Sequence, residues 1–221
     1  MAVDKDVEDD YFEGVKVNDF TWHSAPNEVI ATFGSVVEDR TRDTTHHETL
    51  IGLAFTLGRR IFHHQAVFRI ADCADALAAG DAIGISEFEF VINNNLKADD
   101  FTTVSQRLPA EQKCNAKALV TIRFTIPRYT AKTWVDALEN ETKLQADIVY
   151  TGPALGGGNY EFKLEFPTLK VVNATYDIDG PALINHVVEC ECYRNNANTN
   201  MSISQPAKLT IKNARATAAW S

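Results

Sequence analysis

"KALVTIRFTIPR", residues 117 to 128, decides the fold class. Ala118, Val120, Ile122, Phe124 and Ile126 fall on one side of an extended chain, and Thr121, Arg123 and Thr125 on the other. That two-residue period is a strand with one face in a core. Pro127 has no N–H to give a ladder and ends regular pairing. The same period returns downstream. "TKLQADIVYTG" brings Leu144, Ala146, Ile148 and Tyr150 into phase, and "YEFKLEF" answers with Tyr160, Phe162, Leu164 and Phe166. The Gly-rich "GPALGGGNY" between them marks a hairpin.

Upstream lies "ISEFEFVINNNLKADD", residues 85 to 100. Ile83 and Ile85 share a phase that Phe88, Phe90 and Ile92 break, so a bulge or strand break is predicted at Ser86 and Glu87. The strand then runs into three asparagines, Asn93, Asn94 and Asn95, whose residue type suits a polar turn. "GVKVNDFTW", "EVIATFGSVV", "LKVVNATYDI", "INHVVECECY" and "MSISQPAKLTIK" add further strand signals, with "HSAPN" as a turn. One helix is predicted near 131–140 in "YTAKTWVDALENE". Thr130 is its expected cap, Trp134 and Leu138 share a face with Ala131 and Ala137, and Asn140 suits the exit.

The expected architecture is therefore mainly β: two packed antiparallel sheets, a sandwich or flattened barrel, with one flanking helix near 131–140. Residues 1–13 hold Asp4, Asp6, Glu8, Asp9, Asp10 and Glu13 against Lys5 and predict a flexible acidic arm. Residues 14–221 then form one β domain, with "EDRTRDTTHHETL" (38–50) as a long exposed loop.

The 221 residues carry a formal charge of −9 and a mean hydropathy of −0.20. No apolar run approaches the length of a membrane span, and "MAVDKDVEDDYFE" has neither a basic start nor an apolar stretch, so no membrane partner or export is expected. The acidic balance and the lack of a basic stripe argue against a surface that grips nucleic acid. Cys73, Cys114, Cys190 and Cys192 have neither zinc-site spacing nor the density of a secreted scaffold, and read as reduced, small and mostly buried.

No motif supplies a catalytic set. Gly156, Gly157 and Gly158 lack the following Lys-Ser/Thr of a phosphate loop. "DIDG" (Asp177, Asp179, Gly180) lacks the closing Glu of a calcium loop. The pairs His46-His47 and His63-His64 are the best metal candidates, but neighbours in extended chain point apart and nothing at ligand spacing completes the set. No nucleophile signature occurs, and Glu87, Glu89, Glu189 and Glu191 sit on the polar faces of strands. No catalytic residue, cofactor or metal is expected.

A longer pattern carries more. "AVFRIADCADALAAGDAIGISEFEFVINNNL" (66 to 96) resembles the segment of phage tail tube proteins in which a Phe-Arg-Ile strand leads through an Ala/Gly/Asp stretch to a strand with an Asn-rich end. "RYTAKTWVDALENETKLQADIVYTG" is similar to that family's single helix and following strand. "NYEFKLEFPTLKVVNATYDIDGPALINHVVECECY" (159 to 193) is similar to its final strands. The resemblance spans roughly 60 to 221. It implies a non-enzymatic subunit of a virion's tail, assembled in the host cytoplasm, six copies of which close a ring. Stacked rings would form the conduit for tape-measure protein and DNA, passing without specific binding, with other tail proteins as further partners. Asn93, Asn94 and Asn95 would then end a strand at a subunit contact or channel rim. Arg40, Arg42, Asp43, His46 and His47 would lie on a ring-to-ring arm. A distal tail or terminator ring, or a carbohydrate-binding β-sandwich, are the alternatives.

Overall fold

The computed structural model describes residues 2–4, 9–13, 16–26, 28–36, 39–43, 62–97, 113–114, 116–128, 131–155, 158–176, 184–195 and 198–212. In chain order the strands are β1 (Ala2–Asp4), β2 (Asp9–Glu13), β3 (Lys16–Ala25), β4 (Glu28–Val36), β5 (Asp39–Asp43), β6 (Ala66–Asp72), β7 (Ala82–Ile83) and β8 (Glu87–Asn93). They continue as β9 (Leu96–Lys97), β10 (Lys113–Cys114), β11 (Leu119–Ile126), β12 (Lys143–Leu155), β13 (Gly158–Tyr176), β14 (His186–Cys192) and β15 (Lys208–Lys212). The helix α1 (Thr133–Glu139) lies between β11 and β12. The protein is mainly β, as its alternation predicts.

The chain divides into two compact units, where the sequence predicts an arm and one domain over 14–221. One comprises Met1–Thr21, Thr32–Gly58 and Ile92–Leu119; the other comprises Trp22–Ala31, Arg59–Val91 and Val120–Ser221. In the first, β1 pairs β2 and β2 pairs β5, all antiparallel. The expected acidic arm is thus largely strand, and the expected loop begins with one. The register sets Asp10 opposite Arg42 and Phe12 opposite Arg40, so five residues from the loop region complete the backbone ladder of the acidic segment. Composition reports charge and says nothing of such a distant partner.

The main sheet has ten strands in the order β4-β3-β8-β11-β14-β13-β12-β6-β7, with β15 on β13. Its core, in the second unit, is aromatic. Phe68, Phe88, Phe90, Phe124, Phe166 and Tyr150 are each at most 2% exposed. Strands far apart in the order meet there: Phe68 of β6 lies 5.6 Å from Phe88 of β8 and 5.0 Å from Phe124 of β11, centroid to centroid. Trp22 of β3 stacks on Phe162 of β13 at 4.0 Å and meets Tyr150 of β12 edge-on at 5.7 Å. These contacts fold the sheet over on itself, which is the expected sandwich. Each such ring pair adds about 1 kcal/mol beyond its area.

Pro167 explains how one sheet makes two layers. Opposite β12, Leu144 pairs Leu169 and Ala146 pairs Phe166, so Pro167 and Thr168 together face the single residue Gln145 in a bulge. At the same place the second neighbour of β13 changes. Glu161–Glu165 pair β15, whereas Leu169–Tyr176 pair β14. A strand that changes partners at a bulge makes a sandwich corner.

Other expectations resolve locally. The face change at Ser86 and Glu87 is a break between β7 and β8, where the Ser86 N–H donates to the Thr125 carbonyl at 2.8 Å. The Gly-rich hairpin is present, with Leu155 opposite Gly158. The helix begins at Thr133 with Lys132 at its cap, two residues past the expected start, and makes no side-chain capping bond. Thr130 lies outside the described residues. Asn140 is the exit cap, and Trp134 packs edge-on against Phe124 at 5.3 Å. No helix among the described residues is long and apolar enough to cross a membrane.

Candidate functional site

The asparagine block is a turn spent on its own chain. Asn95 has φ of 50°, the left-handed conformation that asparagine tolerates better than most side chains. Its N–H donates to Asn93 Oδ1 at 2.8 Å, closing an Asx turn, and its own Nδ2 donates to the Lys117 carbonyl at 2.7 Å. Asn94 donates twice toward β3, from N–H to the Asn18 carbonyl at 2.7 Å and from Nδ2 to the Val17 carbonyl at 2.9 Å. Asn18 reciprocates, its Oδ1 accepting the Leu96 N–H at 2.8 Å. The amides expected at a subunit contact therefore already hold β8, β3 and the entry to β11. Of the expected arm residues, Arg40, Arg42 and Asp43 lie on β5, while His46 and His47 fall outside the described residues.

The other His pair is likewise committed. Ser24 Oγ lies 2.8 Å from His63 Nδ1, and His63 Nε2 lies 3.3 Å from the Ile85 carbonyl. With Nε2 donating to that carbonyl, Nδ1 is the acceptor of the Ser24 proton. This is the spacing of a nucleophile and its base. Yet Ser24 is 0% exposed, beneath Trp22 and Tyr150, so no substrate reaches its oxygen. The pair ties β3 to the turn before β6. His64 stacks on Phe62 at 5.5 Å. Among the described residues no three His, Cys, Asp or Glu side chains form a metal set.

Cys73, Cys190 and Cys192 are free thiols. Burial pushes the Cys190 thiol up to about 12, and Cys192, also buried, is pushed well above the usual range. Cys73 is half-buried, donates to the Pro167 carbonyl at 3.5 Å and is raised by burial. Of the strand glutamates, Glu189 pairs Arg123 at 3.7 Å and Glu191 accepts from Tyr193 at 2.7 Å. Glu87 accepts from Thr125 at 3.4 Å and, like Glu28, lies within 4 Å of His23.

Two features escape the periodicity. Gln145 and Asp147 lie on the face of β12 that alternation turns outward, yet they are 0% and 1% exposed. Asp147 is chelated by Arg69, with Nε to Oδ1 at 2.8 Å and Nη2 on Oδ2, and Lys163 stands 3.7 Å away. Gln145 is covered by the segment around Asn198, whose Nδ2 donates to its Oε1.

The second feature is edges. Among the described residues β4 pairs only β3, and β15 pairs only β13. Each leaves one row of backbone donors and acceptors open, and each carries exposed apolar side chains: Ile30 (45%) and Phe33 (67%) on β4, Leu209 (46%) and Ile211 (59%) on β15. Both segments read as strands in sequence. Their place at the margin does not show there, because periodicity reports faces and not neighbours.

No family model matches the chain, and no curated protein matches it. Among solved structures it is similar to one titled "Crystal structure of Hcp protein", with 13% identity and a TM-score of 0.39, over 57% of this chain and 86% of that one. A likeness of that size fixes neither fold nor function.

Proposed function

We propose that this chain is a structural subunit of a phage tail tube. Its copies close into rings, six by the resemblance above, and the rings stack into a conduit for tape-measure protein and DNA. The observation that carries the reading is the pair of open, apolar edges. Native sheets guard long edges with charge, proline or cover, because an open one pairs with another chain. β4 is nine residues long, and its exposed stretch Ile30–Phe33 carries no charge. A subunit that completes its sheet with sister copies needs such edges; a lone enzyme does not. The Ser24–His63 pair is spent inside the fold, tying β3 to the turn before β6. The net charge of −9 suits a wall along which a polyanion slides.

The test is direct. Purified protein taken up a concentration series to millimolar should show rings or tubes in negative-stain images and a matching rise in sedimentation coefficient. A single compact monomer throughout that series would end this reading.

A further inference from the structure

Two of the sheet's open edges, β4 and β15, differ in chemistry in a way that pairs them with each other. β15 alternates Lys208, Thr210 and Lys212 on one side with Leu209 and Ile211 on the other. Its register sets Leu209 opposite Leu164 and Ile211 opposite Phe162, both core residues, so its apolar side is the margin of the core layer. Its lysines flank Glu161 and Glu165 on the outer side, and Lys212 bridges Glu161 at 2.9 Å. β4 has the complementary pattern. Glu28 lies on the outer side, its carboxylate 3.9 Å from His23, and Val29, Ala31 and Phe33 alternate to the opposite side.

We infer that β15 of one copy adds to β4 of the next. In that arrangement the lysines of β15 extend the outer face beside Glu28, while Leu209 and Ile211 lie against the Val29 and Ala31 side. Apolar then meets apolar and cation meets carboxylate on matched faces. The reverse pairings are poorer. β15 on β15 sets lysine against lysine, unfavourable across a strand pair, and β4 on β4 offers Glu28 no cation. Two different edges joined this way make a head-to-tail contact, the kind that propagates into a ring or filament rather than stopping at a dimer. The contact presupposes the self-assembly proposed above and names the two surfaces that serve it.

Two half-blocked variants test it. Ile30→Lys charges the β4 edge and leaves β15 intact; Ile211→Lys does the reverse. Both positions are about half exposed, so each variant should keep the wild-type circular dichroism and melting midpoint. Each alone should need at least about tenfold more protein to associate. Mixed one to one, they should form dimers that grow no further, because the mixture holds only one usable pair of edges. A second arm covers the case of weak contact: Ala31→Cys and Ile211→Cys chains, whose side chains share the apolar face of the joined sheet, mixed and oxidised, should give a disulfide-linked peptide pair by mass spectrometry, absent from either chain oxidised alone. If either lysine variant still assembles like wild type, or the mixture stays monomeric and uncrosslinked while wild type assembles, the assignment is overturned and self-assembly uses another surface. If the mixture dimerises but wild type gives open strings without rings or tubes, the edge contact stands and the tube reading falls.

Discussion

Two clusters of side-chain amides do opposite jobs. At Asn93–Asn95 the amides sit at a half-buried turn and bind backbone of β3 and of the approach to β11. At Gln145 and Asn198 they form a buried latch, which Asn195 and Asn200 extend to the surface. Asn198 Nδ2 donates to Gln145 Oε1 at 2.9 Å and to the Pro167 carbonyl at 2.6 Å. Gln145 Nε2 donates to the carbonyls of Asp72 and Asp75. Asn195 Nδ2 holds the Asn198 and Met201 carbonyls at 2.8 and 3.0 Å, and Asn200 Nδ2 holds that of Cys73 at 2.9 Å. One device shapes a turn that water can reach. The other fastens two loops, at 72–75 and 195–201, over the bulge that turns β13 from one layer to the next. What separates them energetically is the cost of breaking them, since a buried polar group without its partner cannot fall back on water.

The largest effect should follow from Asn198→Ala. It removes both donated bonds and the Oδ1 that accepts the Asn200 N–H at 2.8 Å, leaving Gln145 Oε1 buried without that donor and the Pro167 carbonyl with only the weak Cys73 thiol. A loss of about 3 kcal/mol is expected, read as a lower urea midpoint at unchanged slope. A loss below about 1 kcal/mol would mean that water replaces the latch and that the two clusters are alike.

The turn should respond to backbone shape more than to lost hydrogen bonds. Asn95→Val places a β-branched residue at φ of 50° and should cost about 2 kcal/mol. Asn95→Gly relieves that conformation while giving up the bond to Lys117, and should come out within about 0.5 kcal/mol of wild type. Equal losses from both would locate the stability in the side-chain bond instead.

Neither cluster titrates, so sensitivity to acid must arise elsewhere, and His186 is placed to supply it. It is 1% exposed, at the start of β14, and burial lowers its pKa below the ordinary 6.5. The unfolded chain therefore takes up a proton before the folded one does. Its contribution to stability is whole above pH 6.5 and is lost as the pH falls from there toward the folded value, at no more than about 1.4 kcal/mol per pH unit. Melting midpoints between pH 7.5 and 5 should fall more steeply for wild type than for His186→Gln. Parallel curves would discharge His186 from that role.

The sequence discloses the layers better than the connections. Alternation placed Val120, Ile122, Phe124, Leu144, Ala146, Ile148 and Tyr150 on core faces because that period is local and depends only on each strand's own geometry. It turned Gln145 and Asp147 outward because nothing local tells that β12 is covered on both sides. The covering segment lies some fifty residues on, in "RNNANTN", which reads as a plain polar loop. The same reason hides the third strand of the acidic segment and the marginal position of β4 and β15. For the asparagine run the sequence signalled a turn, and a turn it is, but its bonds to Val17, Asn18 and Lys117 depend on which strands stand beside β8.

The smallest expected effect is the one that most sharply divides a turn from a subunit contact. Asn94→Ala removes a single exposed bond to the Val17 carbonyl, while the stronger tie, Asn94 N–H to the Asn18 carbonyl, belongs to the backbone and survives. The exposed carbonyl recovers a water partner, so stability should change by less than about 0.5 kcal/mol. Self-association should be equally indifferent if Asn94 serves only its own chain. Were the amide instead shared with a neighbouring copy, the critical concentration for assembly would rise several-fold while the urea midpoint of the monomer stayed put. Sedimentation across a concentration series, run beside the denaturation curve, separates the two because one measures contacts between chains and the other contacts within one.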